Sequence, residues 1–276
     1  MKVIEPKVEQ LTQGWTLKDI KKQIEKAGRT CYKSEDKITD DSCEEFVQRM
    51  INCGHTAMLE HGTVYFKFDI DKDETEDALW DVMHSPYTRY HLVGHEYYVT
   101  TNYRVIIEKN ALDAISKFIC MPDPDFHVFR WSYKITCDRG VSHELVRHRV
   151  FSFAQESTRY CNYSKDKFGN ELTFIEPLVS VNSIDGTNLE DDNTSYYGWT
   201  RIMQEIENSY FNLLDHGWKP QDARAVLPNS LKTDIIMTGY SDDWVRFFDL
   251  RCAKNAHPEM QRVANLIKND LYKDHE

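Results

Sequence analysis

Fourteen residues set the hardest condition on any fold of this chain: RHRVFSFAQESTRY, from Arg147 to Tyr160, crowds three arginines and a histidine around a single acid. Guanidinium groups this close repel one another unless carboxylates or an external anion sit among them, and burying one unpaired is costly. The approach to the cluster, DRGVSHELV, repeats apolar residues at helical intervals through Val141 and Leu145, which predicts a largely buried helix running into the motif. On such a helix Arg147, His148 and Arg149 point in different directions, and Ser152 shares a face with His148. Ser157, Thr158 and Arg159 then follow in a turn whose backbone N–H groups can also face an anion. The bland alternative, a solvated basic face, fits poorly with apolar residues on both flanks.

The rest of the chain gives no general reason for such a cluster. It carries 34 Lys+Arg against 45 Asp+Glu, a net charge of -11, and no extended basic stripe, so a nucleic-acid surface is not expected. His143-Glu144-Leu145-Val146-Arg147-His148 looks like a zinc-binding HExxH, but its histidines are five residues apart and would stand about 140° apart on a helix. No metal is expected. What remains is a local anion site in an acidic protein.

The cluster resembles the RHRxxSxxxxSxR signature of the flavin-dependent thymidylate synthases, matching every fixed position: Arg147, His148, Arg149, Ser152, Ser157 and Arg159. LEHGTVYFKF, from Leu59, resembles that family's glutamate-histidine pair and following strand. AGRTCYKSED, from Ala27, resembles its early cofactor-lining segment, DARAVLPNSLKTD, from Asp222, its nucleotide-binding segment, and WVRFFDLRC, from Trp244, its helix ending in Leu-Arg. The resemblance implies conversion of dUMP to dTMP, with methylenetetrahydrofolate as carbon donor and FAD, reduced by NADPH, as hydride source. It implies Arg251 as the catalytic group stabilising the anionic uracil ring. It implies Glu144, Arg147, Gln155, Glu156, Ser157, Thr158, Arg159, Arg224 and Arg251 around dUMP. His61, Thr63, Arg147, His148, Arg149, Val150, Gln155 and Arg246 would meet the flavin, in a homotetramer with sites at subunit interfaces. A nucleophilic role for Ser157 is weaker, because no base is evidently placed to activate it. The chain departs from compact members at Tyr240 and Asp242, where an asparagine and an arginine are common, and in having about seventy residues between Phe68 and Arg139.

At 276 residues the chain suits one catalytic domain, 1–276, with 69–138 as an insertion within it, at the periphery or at a subunit contact. Strands are expected near Lys2–Leu11, at TVYFKFDI and, half exposed, at HVFRWSYKIT; helices at LKDIKKQIEKAG, Ser42–Cys53, Ser195–His216 and from Pro220, Asp242 and Pro258. A polar acidic loop is expected over Asn182–Asn193. Without a strict βαβ rhythm this reads as α+β, an antiparallel-rich sheet flanked by helices, and the resemblance implies the thymidylate synthase-complementing protein fold. Apolar runs fall short of a bilayer span and no signal peptide opens the chain, so no membrane association is expected. The seven cysteines contain no C-x-x-C pair, which favours a reducing cytoplasm, with Cys161 as a small buried hydrophobe.

Overall fold

The computed structural model describes residues 1–73, 77–165, 169–178 and 193–273. The strand expected over Lys2–Leu11 divides at Pro6, which has no N–H to give a ladder. Its first part, β1 (Lys2–Ile4), pairs in parallel with β8 (Thr173–Ile175), while β2 (Lys7–Gln10) pairs antiparallel with β6 (Arg130–Asp138). Beyond β6 lie β9 (Lys232–Tyr240) and then β7 (Ser152–Gln155), completing a four-stranded antiparallel sheet. The fold is α+β, as expected. Strand β6 is central, paired along its whole length from Arg130↔Tyr240 to Asp138↔Lys232, and mostly buried rather than half exposed.

Helices cover both faces of this sheet. On one, α6 (Arg139–Leu145), α9 (Ser241–Arg251) and α10 (Pro258–Tyr272) bury Trp244, Phe247, Met260 and Val263 against Tyr133, Ile135 and Met237. On the other lies α1 (Leu17–Tyr32), opened by a capping box between Thr16 and Asp19, with Ala27 against Ala154 and Ile236. A third core forms under α7 (Asn193–Asp215), where Cys161, Tyr163, Leu172 and Phe174 meet Met203 and Tyr210. Helix α7 ends before Gly217, whose φ of +88° suits a residue without a Cβ. The loop expected from Asn182 lies, up to residue 192, outside the described residues.

The 69–138 segment is more than an edge decoration. Besides the central strand β6, it contributes α3 (Asp77–Met83), the hairpin of β4 (Arg89–Val93) and β5 (Glu96–Asn102), and the short helices α4 (Tyr103–Glu108) and α5 (Leu112–Ser116). Strand β5 pairs with β3 (Thr63–Asp69), giving a three-stranded sheet ordered β3-β5-β4. Leu79, Val99, Ile106 and Ile115 from the segment close a core with Val64 and Phe66 of β3, Ile20 and Ile24 of α1, and Phe46 of α2 (Ser42–Asn52). Helix α1 therefore serves two cores, tying the segment to the four-stranded sheet. Among the described residues no helix is long and apolar enough to cross a membrane.

Candidate functional site

The motif does not ride on a continued helix. Helix α6, capped by Asp138 accepting from Val141 N at 2.8 Å, stops at Leu145; Val146 to Phe151 form turns; and Ser152 begins β7. Continuing the helix would lift Phe151 from the sheet. Phe151 instead packs against Gly239, where a Cβ would come within 2.3 Å of its ring. Ser152 and His148 accordingly do not share a helical face, and Arg147, Arg149 and Val150 are exposed rather than buried.

The turn brings three expected residues together. Arg251, closing α9, donates from Nη1 to Glu144 Oε2 at 2.6 Å, from Nη2 to the Glu144 carbonyl at 3.2 Å, and from Nε to His148 Nε2 at 2.8 Å. His148 must be neutral to accept that bond. Burial, aided by the charges of Arg251 and Arg147, pushes its pKa down to about 4. The planar fork of Arg251 thus locks the ends of α6 and α9 to the motif turn.

At the start of β7, Ser152 Oγ donates to Glu60 Oε2 at 2.7 Å, and Arg104 Nη1 donates to Glu60 Oε1 at 2.6 Å. His61 is fully buried, its Nδ1 2.8 Å from Thr238 Oγ1, and burial together with nearby Arg130 pushes its pKa down to about 3. Thr63, also buried, receives a bond on its Oγ1 from Arg130 at 3.3 Å. Tyr240 donates its hydroxyl to the carbonyls of Tyr87 and Thr100, and Asp242 pairs with Arg89. The two departures from the compact pattern thus bond to the 69–138 segment, at Tyr87, Arg89 and Thr100.

At the far end of β7 the surroundings differ. Gln155 donates to Ser142 Oγ at 2.8 Å, tying β7 to α6. Glu156, buried, accepts from Tyr163 Oη and from Lys232 Nζ, each at 3.0 Å. Asp234 accepts from Lys33, from Lys232 at 2.7 Å and from Thr136 at 2.7 Å. Burial alone would raise the Asp234 pKa, but Lys232 and Lys33 outweigh it and hold the carboxyl well below the usual range. Ser157 follows, its N–H donating to the Cys31 carbonyl at 3.0 Å, then buried Thr158 and exposed Arg159. Arg224 is exposed like Arg159, and Arg246 is exposed on α9 beside Asp243.

Sequence reasoning missed Lys33, Lys232, Asp234, Arg130 and Arg89. The first three lie inside segments singled out for nucleotide or cofactor contact, yet no local pattern marked them. Arg147 and Arg149 make no hydrogen bond or ion pair through their side chains among the described residues, so the motif suits an anionic cofactor or substrate. Among those residues no group of three or more His, Cys, Asp or Glu could hold a metal ion.

A family model described as "Thymidylate synthase complementing protein" matches residues 126–275. The flavin-dependent thymidylate synthase of Geobacter sulfurreducens is 35% identical over 126 residues, 46% of this chain and 49% of that protein. That of Pyrococcus furiosus is 33% identical over 137 residues, 50% of this chain and 52% of its own. A probable flavin-dependent thymidylate synthase of Paramecium bursaria Chlorella virus 1 is 28% identical over 163 residues, 56% of this chain and 73% of that protein. This chain spans about half the length of the bacterial and archaeal relatives. A solved UMP/dUMP methylase, PolB from Streptomyces cacaoi bound with 5-Br dUMP, aligns over 99% of this chain and 93% of its own, at a TM-score of 0.47 and 17% identity.

Proposed function

We propose, from the premise that the chain belongs to the thymidylate synthase complementing protein family, that it is a flavin-dependent thymidylate synthase acting on dUMP. When bound, FAD reduced by NADPH supplies the hydride and methylenetetrahydrofolate the carbon. The observation that carries the reading is that Arg147, Arg149 and Arg159 stand exposed without a carboxylate partner among the described residues, in a chain with 45 acids to 34 bases. Exposed arginines in an acidic protein readily find carboxylates. A run left unpaired is suited to a ligand's phosphates.

In this reading Arg251 bears on the pyrimidine, where fixed positive charge stabilises the anionic ring without a cysteine nucleophile. Glu144 and His148 orient its guanidinium, and neutral His148 accepts its Nε–H without adding charge. Arg159 and Arg224 hold the nucleotide phosphate; Gln155, Ser157 and Thr158 define the pocket beside it, with Glu156 behind them. Arg147, Arg149, Val150 and Arg246 face the flavin, and His61 and Thr63 shape the neighbouring wall from within. The active form is a homotetramer with sites shared between subunits. Purified protein should be yellow, bleach with NADPH, and form dTMP from dUMP and methylenetetrahydrofolate; a colourless protein that makes no dTMP after loading with FAD overturns the reading.

A further inference from the structure

A cleft of about 500 Å³ separates the motif turn from the inserted segment, lined among others by Glu60, Arg89, Arg104, Arg130, Arg149 and Ser152. Its four guanidinium groups are of two kinds. Arg89 is clasped by Asp242 and, at 2.9 Å, by Asp243; Arg104 bonds Glu60 at 2.6 Å and Glu108 at 2.7 Å. These two have their carboxylates. Among the described residues Arg130 forms no ion pair, the Glu60 carboxylate acting on it only at longer range: it donates to neutral oxygens, Thr63 Oγ1 at 3.3 Å and the Glu60 carbonyl at 3.1 Å, and its buried Nε makes no hydrogen bond. Arg149 has neither an ion pair nor a side-chain hydrogen bond among the described residues.

A charged donor buried without a partner is rare, because it forfeits water and gains nothing in return. Arg130 is also held in place from several sides. Its backbone N–H donates to Tyr65 Oη at 3.1 Å, and its guanidinium lies 5.3 Å from the centre of the Tyr240 ring, which also carries Arg89 at 4.2 Å. Tyr240 is anchored in turn to the Tyr87 and Thr100 carbonyls of the inserted segment. A rigid guanidinium that forms no ion pair among the described residues, facing a cleft with a second one, is what recognition of a phosphoryl group requires.

We propose that Arg130 is a ligand-binding residue that forms, with Arg149, an anion subsite for a phosphoryl group of a nucleotide, in a cleft whose outer wall is built by Arg89 and Arg104 of the inserted segment. The subsite follows from charge and geometry; only the choice between dUMP and FAD as the source of the phosphoryl group rests on the reading above. The insertion is then part of the binding apparatus.

Inorganic pyrophosphate is the direct probe, titrated calorimetrically into the full chain. Saturable binding is expected, weakening as salt is raised. Arg149→Gln should reduce affinity about tenfold or more, since each charge-assisted bond lost carries at least that factor. Among the described residues the Arg149 side chain makes no hydrogen bond or ion pair, and far-UV circular dichroism of the variant separates a loss of binding from unfolding. Arg130→Lys, which keeps the charge, should lose less than Arg130→Gln. Arg201→Gln, which removes an equal charge on α7, should change nothing. Competition by FAD assigns the subsite to the cofactor, and competition by dUMP to the substrate. No saturable binding at millimolar pyrophosphate, or equal binding by wild type, Arg149→Gln and Arg130→Gln, overturns the proposal. Protein that binds pyrophosphate through these arginines yet forms no dTMP would keep the subsite and remove the reading of function.

Discussion

The two ends of β7 carry charge of opposite chemical character. At its C-terminal end Glu156 and Asp234 are shared by Lys33 and Lys232, and these four side chains are 2% to 19% exposed. At its N-terminal end Arg147 and Arg149 are exposed and unpaired among the described residues, and Arg130 meets only neutral oxygens. A single run of sequence thus divides between charges spent on the fold and charges left for a ligand. Charge density alone does not distinguish them. What does is whether the partners come from strands that the fold brings alongside, as β9 brings Lys232 and Asp234 to Glu156.

The comparison breaks first on stability. Asp234→Ala removes a carboxylate shared by Lys33 and Lys232 and should destabilise the protein by about 3–5 kcal/mol, the cost of breaking a buried pair from one side. Arg149→Gln should stay within about 0.5 kcal/mol of wild type. Urea unfolding measures both, and similar midpoints for the two variants would erase the distinction. Acid gives a second arm. The folded pKa of Asp234 is depressed, so its contribution is full above the unfolded value of about 4 and is lost as pH falls below that toward the folded value. Asp234→Ala should therefore flatten the decline in stability below about pH 4.

Arg251 lies between these classes, paired with Glu144 and His148 but assigned a catalytic role. Arg251→Lys keeps the charge and loses the planar fork. Turnover should fall by roughly two orders of magnitude, about 2.7 kcal/mol in the barrier. Flavin reduction by NADPH in the absence of dUMP should be little changed. Stopped-flow absorbance of the two half-reactions decides the point: slowed reduction with intact oxidation by dUMP and methylenetetrahydrofolate would move Arg251 from the pyrimidine to the flavin.

The parts of the fold legible in the sequence are those with local causes. Helices α1, α7, α9 and α10 follow from apolar periodicity, the Thr16 cap, Gly217 and Pro258. The end of α6 was not legible, because what stops it is Phe151 seating on Gly239, a residue far along the chain in β9. Strand β9 was hidden for the same reason: its burial comes from pairing with β6 and β7, which no window of sequence displays. Tyr240 and Asp242 stood out only as departures from a pattern. Their contacts with Tyr87, Thr100 and Arg89 span 140 to 153 positions, so the physical reason for them appears only when the 69–138 segment folds back. In the site, the motif named the arginines, while their division into paired and unpaired awaited the partners.

The smallest expected effect tests the paired side of the comparison. Cys161 is wholly buried, packed with Tyr163, Leu172 and Phe174, and its N–H donates to the Ser157 carbonyl at 3.0 Å. It stands one residue beyond the motif's Arg159-Tyr160 pair and on the side of β7 where side chains serve the fold. Cys161→Ser replaces a weakly polar group with a hydroxyl in an apolar core and should cost about 1–3 kcal/mol of stability. Turnover should remain within about twofold of wild type, because a thiol closed in among aromatic rings has no path to a pyrimidine and, in the proposed function, Arg251 supplies the charge that a thiolate adduct would otherwise provide. Quantifying dTMP formed by the folded variant, after confirming that FAD and dUMP bind as in wild type, gives the answer. Normal binding with no dTMP would make Cys161 the nucleophile and place the chemistry on the buried side of the motif.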